Sequence, residues 1–113
     1  MEEGKPEVAY DDFAKLDIRI GKVIAAEFVP ETDKLIKCTV DLGDLGTRTI
    51  VSGIAQWKKP EELVEKLLPY IVNLAPRTLR GVESQGMLLA ASDESGVALI
   101  EPERIVPPGT PLR

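Results

Sequence analysis

The stretch that decides the fold is Tyr70-Ile71-Val72-Asn73-Leu74, followed by Ala75-Pro76-Arg77-Thr78-Leu79-Arg80-Gly81-Val82-Glu83-Ser84-Gln85 and then by Gly86-Met87-Leu88-Leu89-Ala90-Ala91. The two outer segments are apolar and predict strands, whereas the middle segment is polar and predicts a loop. Arg77 and Arg80 lie three residues apart in that loop and can offer two planar donor forks to phosphates or base edges. The pattern predicts a recognition surface held between two strands.

Length and composition predict one soluble domain. At 113 residues and 43% hydrophobic, the chain can bury a single core. We expect a mobile acidic lead-in over residues 1–10 and a folded domain over residues 11–113 that ends in a C-terminal extension. Apolar runs are too short to cross a bilayer, and the acidic N-terminus is unlike a secretory signal, so we expect a cytoplasmic protein with no membrane partner. Cys38, the only cysteine, lies in an apolar stretch and predicts a buried, reduced thiol.

Catalytic chemistry finds little support in the sequence. The chain has no histidine, which removes histidine-based triads and the commonest metal ligand. The carboxylate pairs Asp11-Asp12, Glu61-Glu62 and Asp93-Glu94 fall at predicted helix starts and a turn, where solvated acids normally occur. No glycine-rich phosphate loop is present. We therefore expect a protein that is not an enzyme and uses no cofactor or metal.

The formal net charge of -5 argues at first against a nucleic-acid partner. However, residues 1–17 hold six of the 19 acidic residues and two of the 14 basic ones, a local charge of -4. The other 96 residues carry only -1. A one-sided basic face is compatible with that distribution.

The order of predicted elements indicates an all-β fold. A short helix begins at Asp11 or Asp12, a strand follows from Leu16, and a switch of apolar phase predicts a bulge at Gly21. Alternation predicts a second strand over residues 35–42 and a third over residues 47–51. Pro60 predicts a helix whose apolar stripe ends before Pro69.

A fourth strand over residues 70–74 and a fifth over residues 86–91 complete the series, with a hairpin into residues 97–100. Three strands, a helix and two strands is the order of a five-stranded OB-fold barrel, with a short helix between strands 3 and 4. In that fold ligands meet strands two and three and the loops after strands one and four. Here those loops are residues 30–34 and 75–85, so the arginines fall in a binding loop.

The residues themselves resemble the tRNA-binding domain family. The matching segments are Asp12-Phe13, Asp17-Ile18-Arg19-Ile20-Gly21-Lys22-Val23, Asp33-Lys34-Leu35, Val40-Asp41, Arg48-Thr49-Ile50-Val51-Ser52-Gly53-Ile54, Pro60-Glu61-Glu62-Leu63, Asn73-Leu74-Ala75-Pro76-Arg77 and Arg80-Gly81-Val82-Glu83-Ser84-Gln85-Gly86-Met87-Leu88-Leu89-Ala90-Ala91. That family includes the C-terminal domain or separate beta subunit of methionyl-tRNA synthetase, free-standing dimeric tRNA-binding proteins and a secretion-associated chaperone. Val29 and Thr32 depart from the common His and Ala, and Trp57 stands where a tyrosine is usual.

The resemblance implies a non-catalytic barrel that grips the outer corner of tRNA by shape and forms a homodimer through its extension. From the resemblance we also expect the protein to serve methionyl-tRNA synthetase, either as its beta subunit or as an appended domain. Of five aromatic residues, none lies in the predicted binding loop. Since single-strand binders need stacking platforms, whereas folded RNA is recognised through backbone and 2′-hydroxyl contacts, this composition favours a structured RNA.

Nine residues form the predicted tRNA-binding set. Arg77 and Arg80 enter it through their place in the loop and the resemblance, and Ser84 and Met87 through the resemblance. Lys34, Lys37 and Arg48 lie on or beside strands two and three, where they can supply electrostatic support. Asn73 and Gln85 complete the set, although either could serve the local backbone instead.

The C-terminal tail predicts a dimer contact. Ile105, Val106 and Leu112 are apolar residues on a proline-rich frame that suits docking across a two-fold interface. A loose end is the alternative interpretation of this segment. A peptide-binding export chaperone on the same barrel and a pure assembly domain remain alternative functions.

Overall fold

The computed structural model describes residues 3–113, so Met1 and Glu2 of the predicted lead-in lie outside the described residues. Within that range the chain forms two short helices, one 3₁₀ turn and nine strands. Their bounds are α1 Tyr10–Ala14, β1 Ile18–Phe28, β2 Ile36–Asp41, the 3₁₀ turn Gly43–Leu45, β3 Thr47–Ser52, α2 Pro60–Leu63, β4 Leu67–Ile71, β5 Arg77–Leu79, β6 Val82–Ser84, β7 Met87–Leu88, β8 Ala91–Asp93 and β9 Gly96–Ala98.

Strand β1 organises the main sheet, whose order is β3-β2-β1-β4-β7 and whose strand pairs are all antiparallel. Its first half pairs with β4 and its second half with β2, so one long strand serves two neighbours. The register with β2 shifts between Val23 and Ala25, which identifies the bulge. The predicted bulge at Gly21 is therefore wrong. Gly21 is instead required by close packing, because a Cβ there would overlap the side chains of Val40 and Leu42.

Contacts between β3 and the segment joining β6 to β7 close the sheet into a barrel. The Gln85 N–H donates to the Thr49 carbonyl at 2.8 Å, and the Ser84 Oγ accepts the Val51 N–H at 2.9 Å. These bonds join the two ends of the five-stranded order. The predicted OB-fold barrel with a short helix between strands 3 and 4 and a C-terminal extension is confirmed.

The core lies inside the barrel and follows the predicted alternation on β2, where Ile36, Cys38 and Val40 are buried and their neighbours are half-buried. Burial raises the pKa of the Cys38 thiol to about 11, as expected for a reduced structural cysteine. Burial also raises the pKa of the Tyr70 hydroxyl, whose side chain is enclosed in the same cluster. Together these side chains form one continuous apolar cluster.

The helix predicted after Pro60 is far shorter than its apolar stripe suggested. Helix α2 ends at Leu63, because Val64 is extended and Glu65 adopts a positive φ of 76°. Leu67 already belongs to β4, and Pro69 lies within that strand instead of stopping a helix. The first half of β1 needs an antiparallel partner, and pairing Leu67 to Ile71 with it buries Leu68 and Tyr70. Pairing of β4 with β1 thus decides the structure of this segment, although the spacing of its apolar residues suits a helix.

The predicted boundaries around the arginine segment also change. Strand four spans Leu67–Ile71 rather than residues 70–74, and strand five is broken into β7 and β8. Residues 75–85 are not an irregular loop, because Arg77–Leu79 and Val82–Ser84 pair as a hairpin. The later hairpin was correctly placed, and it consists of β8 and β9.

The C-terminal tail is not a loose end, because it is bonded to the first half of β1. The N–H of Ile20 donates to the Thr110 carbonyl at 2.8 Å, and the Ile20 carbonyl accepts the Gly109 N–H at 2.7 Å. The Leu112 N–H donates to the Ile18 carbonyl at 2.8 Å. We call residues 109–112 the strap. The strap covers the edge of β1 that β2 leaves unpaired.

Among residues 3–113, no helix is long and apolar enough to span a membrane.

Candidate functional site

Arg77 and Arg80 are carried by the β5–β6 hairpin, which projects from the barrel between β4 and β7. Its two central turn residues, Arg80 and Gly81, have φ values of 50° and 80°. Positive φ at both positions matches a type I′ turn, the geometry that best continues the twist of paired strands. Glycine adopts it freely, whereas arginine does so against a steric cost. The chain therefore holds an arginine at the tip in a conformation that asparagine or glycine would adopt more easily.

The base of this hairpin is fixed to the barrel by Ser84 and Gln85. Ser84 is 4% exposed, and its hydroxyl accepts the Val51 N–H and donates to the Gly86 carbonyl at 3.2 Å. The Gln85 Oε1 accepts the Thr49 N–H at 3.0 Å. Both side chains thus act as parts of the barrel wall. The arginine hairpin is consequently attached to β3 at its base.

One side of the hairpin tip faces the β1–β2 loop across a hollow, which we call the Lys34 hollow. Its lining residues are Glu31, Thr32, Asp33, Lys34, Leu35, Thr78, Leu79 and Arg80. Lys34 and Arg80 come from segments more than forty residues apart in sequence, and both side chains are exposed. The fold thereby brings together cations from the two loops that the OB-fold uses for binding.

The base of the hairpin borders a second hollow, the Arg77 hollow. It is lined by Val51, Ser52, Gly53, Ile54, Arg77, Met87, Leu88, Ala90, Ala91, Ser92 and Val97. Met87 is 41% exposed on β7 and gives this hollow an apolar wall beside the Arg77 guanidinium. The two arginines therefore line two different hollows: Arg80 lines the Lys34 hollow and Arg77 lines the Arg77 hollow.

Charge pairing separates these three cations from the five basic residues that already have a carboxylate partner. Within the part of the chain that the structure describes, five ion pairs engage Lys15, Arg19, Lys22, Lys37 and Lys66. None engages Lys34, Arg77 or Arg80 in residues 3–113. An exposed cation without a carboxylate partner can meet a phosphate without first breaking an ion pair.

Three other predicted site residues are already engaged within the fold. The Arg48 guanidinium donates to the Val72 carbonyl, and in register Arg48 pairs with Val40, a core residue. Lys37 faces outward but is paired with Glu27 across the β1–β2 ladder at 3.0 Å. Asn73 accepts the Asp17 N–H at 2.8 Å and donates to the Lys15 carbonyl at 2.7 Å, which ties the start of β1 to the end of β4.

The predicted dimer residues lie on and beside the strap. Ile105 is 87% exposed, Leu112 is 40% exposed and Val106 is half-buried. Ile105 and Val106 border a groove with Lys22, Asp41, Glu65, Leu67, Pro107 and Pro108. Sequence reasoning identified the apolar side chains here, but not the backbone bond by which Leu112 is attached to the chain's own β1.

Some lining residues of the hollows were missed from sequence. Gly53, Ile54 and Val97 carry no charged or polar side chain that indicates binding, and the fold brings them beside Arg77. Thr78 and Leu79 lie between the two arginines, so the sequence could have indicated that they line the site. A predicted loop, however, does not say which way its side chains face.

Comparison with known proteins agrees with this arrangement. Residues 18–111 match the family model described as "Putative tRNA binding domain". The methionine–tRNA ligase of Deinococcus radiodurans is 51% identical over 107 residues, which cover 94% of this chain and 16% of that ligase. The ligase of Pyrococcus horikoshii is 49% identical over 118 residues, covering 100% of this chain. The chain thus spans 16% of the length of these curated relatives.

Solved structures share the whole barrel. A MetRS-related protein from Pyrococcus horikoshii has a TM-score of 0.90 at 44% identity, covering 96% of this chain and 100% of that one. The chaperone CsaA from Bacillus anthracis has a TM-score of 0.86 at 29% identity, covering 96% and 100%. The barrel, its arginine hairpin and the extent of the family match lead to one conclusion: this chain belongs to the tRNA-binding domain family and is related to the tRNA-binding domain of methionyl-tRNA synthetase.

Proposed function

We propose that this protein is a non-catalytic, structure-specific tRNA-binding module that grips the outer corner of tRNA. The observation that carries the proposal is the β5–β6 hairpin, attached to β3, which presents Arg77 and Arg80 without carboxylate partners among residues 3–113 and places Arg80 beside Lys34. Guanidinium groups with free donors suit the oxygens of an RNA backbone. Membership of a tRNA-binding family supports tRNA as the RNA in question.

Of the nine residues in the proposed site, four contact tRNA directly: Lys34, Arg77, Arg80 and Met87. All four are exposed, and the two hollows surround them. Ser84, Gln85, Arg48 and Asn73 act by holding strands and hairpin in place, since their polar groups bond within the fold. Lys37 adds electrostatic support from a cross-strand ion pair with Glu27.

The active form in this proposal is a cytoplasmic homodimer. Ile105 is almost fully exposed, and together with Val106 it borders an open groove, which supports docking of a second copy there. Two copies present two arginine hairpins, so the dimer raises the effective concentration of binding sites on one tRNA. As a beta subunit or an appended domain, it would deliver tRNA to the catalytic part of methionyl-tRNA synthetase. Relatedness to ligases that carry this domain supports that partner.

A peptide-binding export chaperone is the second candidate. The likeness to the chaperone CsaA favours it over a pure assembly domain. The Arg77 hollow could hold an apolar side chain against Met87 and Val97. The unpaired cations around both hollows favour RNA over polypeptide.

Filter binding of the whole chain to tRNA and, in parallel, to an unfolded polypeptide separates the two candidates. We expect tRNA to bind and the polypeptide to bind weakly. Affinity should fall with added salt and survive exchange among tRNA species, because phosphate and shape contacts carry little sequence information. A single-stranded oligonucleotide of equal length should compete poorly. Equal competition would refute shape recognition, and a preference for polypeptide would favour the chaperone.

A further inference from the structure

The fold brings the only tryptophan of the chain beside the proposed binding surface. Trp57 lies in a turn that starts at Ile54, since the N–H groups of Trp57 and Lys58 both donate to the Ile54 carbonyl, at 3.0 and 2.9 Å. Ile54 lines the Arg77 hollow. The next residue, Ala55, donates its N–H to the Lys34 carbonyl at 3.0 Å. The Trp57 turn is thus attached to both proposed hollows.

The indole is held in place by the β8–β9 hairpin. A Cβ at Gly96 would come within 2.5 Å of Trp57 Cδ1, 2.9 Å of Trp57 Nε1 and 3.2 Å of Trp57 Cγ, so one face of the pyrrole ring packs directly on the glycine and the other face is the one that a ligand could reach. Gly96 also has a φ of 123°, which side chains rarely adopt. The neighbouring Val97 lines the Arg77 hollow. Trp57 therefore adjoins that hollow in a supported position, and it remains 47% exposed.

Tryptophan side chains that only pack a core are normally buried. An exposed indole next to an arginine-bearing hollow is instead available to contact a ligand. Lys58 and Lys59 follow Trp57 in the chain, and neither forms an ion pair in the described residues. Asp93 ends β8 and Glu94 lies in the turn before Gly96, where the Asp93 carboxylate accepts the Ser95 N–H at 2.9 Å. The charges of these two lysines and two acids cancel. The indole can therefore attract a partner through contact with its ring face more than through the charge of its neighbours.

We infer that Trp57 is a stacking platform for one unpaired base of the bound tRNA. The inference rests on the proposed function and adds a base contact to a surface otherwise built for phosphates. Bases that are unstacked in the loops of folded RNA commonly stack on aromatic side chains. Such stacking tolerates any base, because every base has a π-face, so it does not conflict with binding of many tRNA species.

Since Trp57 is the only tryptophan, the unmodified protein tests the inference by its own fluorescence. We expect saturating tRNA to quench this emission and to protect the indole from acrylamide, with excitation at the red edge of tryptophan absorption. Free N-acetyltryptophanamide with the same tRNA corrects for absorption by the nucleic acid. Unchanged emission and unchanged acrylamide access, while filter binding shows a complex, would overturn the inference and leave the proposed function standing.

Two variants separate stacking from packing. Trp57→Leu should weaken tRNA binding roughly 5- to 100-fold, the effect of losing one stacked base, and Trp57→Phe should restore part of the affinity. The loss in Trp57→Leu should leave the dependence of affinity on salt unchanged, because no counterion is displaced by the indole. Tyr10→Leu is the matched control, since Tyr10 is an exposed aromatic of α1 and no residue of that helix lines either hollow. Full affinity in a folded Trp57→Leu would refute the platform.

The remaining outcomes also discriminate. If unfolded polypeptide quenches Trp57 and tRNA does not, the ring serves a protein partner and the inference is wrong. If filter binding detects no tRNA complex at all, the proposed function fails as well.

Discussion

Gln85 and Thr49 exchange two hydrogen bonds, and one of them uses a side chain in place of the backbone. The Gln85 N–H donates to the Thr49 carbonyl at 2.8 Å, and the Thr49 N–H donates to the Gln85 Oε1 at 3.0 Å. The pair seals the barrel beside the arginine hairpin, where a regular strand pair is missing. Gln85 therefore sets the position of the proposed binding residues through the wall of the barrel.

Replacing Gln85 by leucine should lower the free energy of unfolding by about 1–3 kcal/mol, because the Thr49 N–H then loses its acceptor in a partly buried place. Gln85→Glu keeps an oxygen at that position and is the matched control, with a smaller expected loss. Urea denaturation measures both variants. Equal stability of the leucine and wild-type proteins would show that the amide does not support closure.

Arg77→Ala and Arg80→Ala should each weaken tRNA binding by about 1–3 kcal/mol, the range for a lost charge-assisted contact. Each should also reduce the slope of log affinity against log salt by about one, if the lost partner is a phosphate. Lys15→Ala is the control, because Lys15 is paired with Asp12 at 3.6 Å and lines neither hollow nor the groove beside Ile105. Unchanged affinity in both arginine variants, with intact circular dichroism, rules out the hairpin as the site.

The tip of the hairpin should show opposite effects on stability and binding. Arg80→Asn places a residue suited to positive φ at 50° and should stabilise the fold by up to about 1 kcal/mol, while tRNA affinity falls. Arg80→Lys preserves the charge and should retain more affinity than Arg80→Asn. Thermal unfolding and filter binding on the same samples give both readouts. If Arg80→Asn binds tRNA as well as wild type, the strained arginine has no binding role.

Ile105→Asp should convert the proposed dimer to a monomer without unfolding it. Ile105 is 87% exposed and makes none of the backbone bonds of the strap, so the substitution should leave the fold intact. Deleting residues from Glu101 onward is a less specific test, because it also removes the strap that is bonded to Ile18 and Ile20. A monomer or an aggregate of that variant would result in part from damage to β1. Light scattering and tRNA titration decide the matter. A dimer that persists in Ile105→Asp, or a monomer with full tRNA affinity, contradicts the linked proposal.

The buried thiol predicts a loss of stability in alkali. Burial raises the pKa of Cys38 from 9.0 to about 11, so the folded chain keeps a proton that the unfolded chain has already released. Stability is full below pH 9.0 and falls as pH rises toward about 11, since the unfolded state binds fewer protons there. Urea denaturation across this range checks the sign, and Cys38→Ala should make the fall shallower without removing it, because burial also raises the pKa of Tyr70. Rapid reaction of the native thiol at neutral pH would contradict its burial.

The sequence alone determined the family, the five-stranded barrel and most of the core. Alternation over Ile36 to Val40 forces one face inward, and that local rule needs no knowledge of neighbours. The arginine spacing and the motif around it were equally readable, because both lie in one continuous stretch. The buried, reduced state of Cys38 followed from its place on the apolar face.

Tertiary structure decided what depends on pairing between distant segments. The residues from Leu67 onward form a strand because β1 needs a partner, although their spacing suits a helix. The register shift lies between Val23 and Ala25 within the β1–β2 ladder, just beyond Lys22, where the pairing of β1 passes from β4 to β2. The same distant contacts bring Lys34 to Arg80 and Trp57 to the Arg77 hollow, and they attach the strap to β1. These contacts join residues far apart in the chain, and local spacing carries no signal of where closure of the barrel will place them.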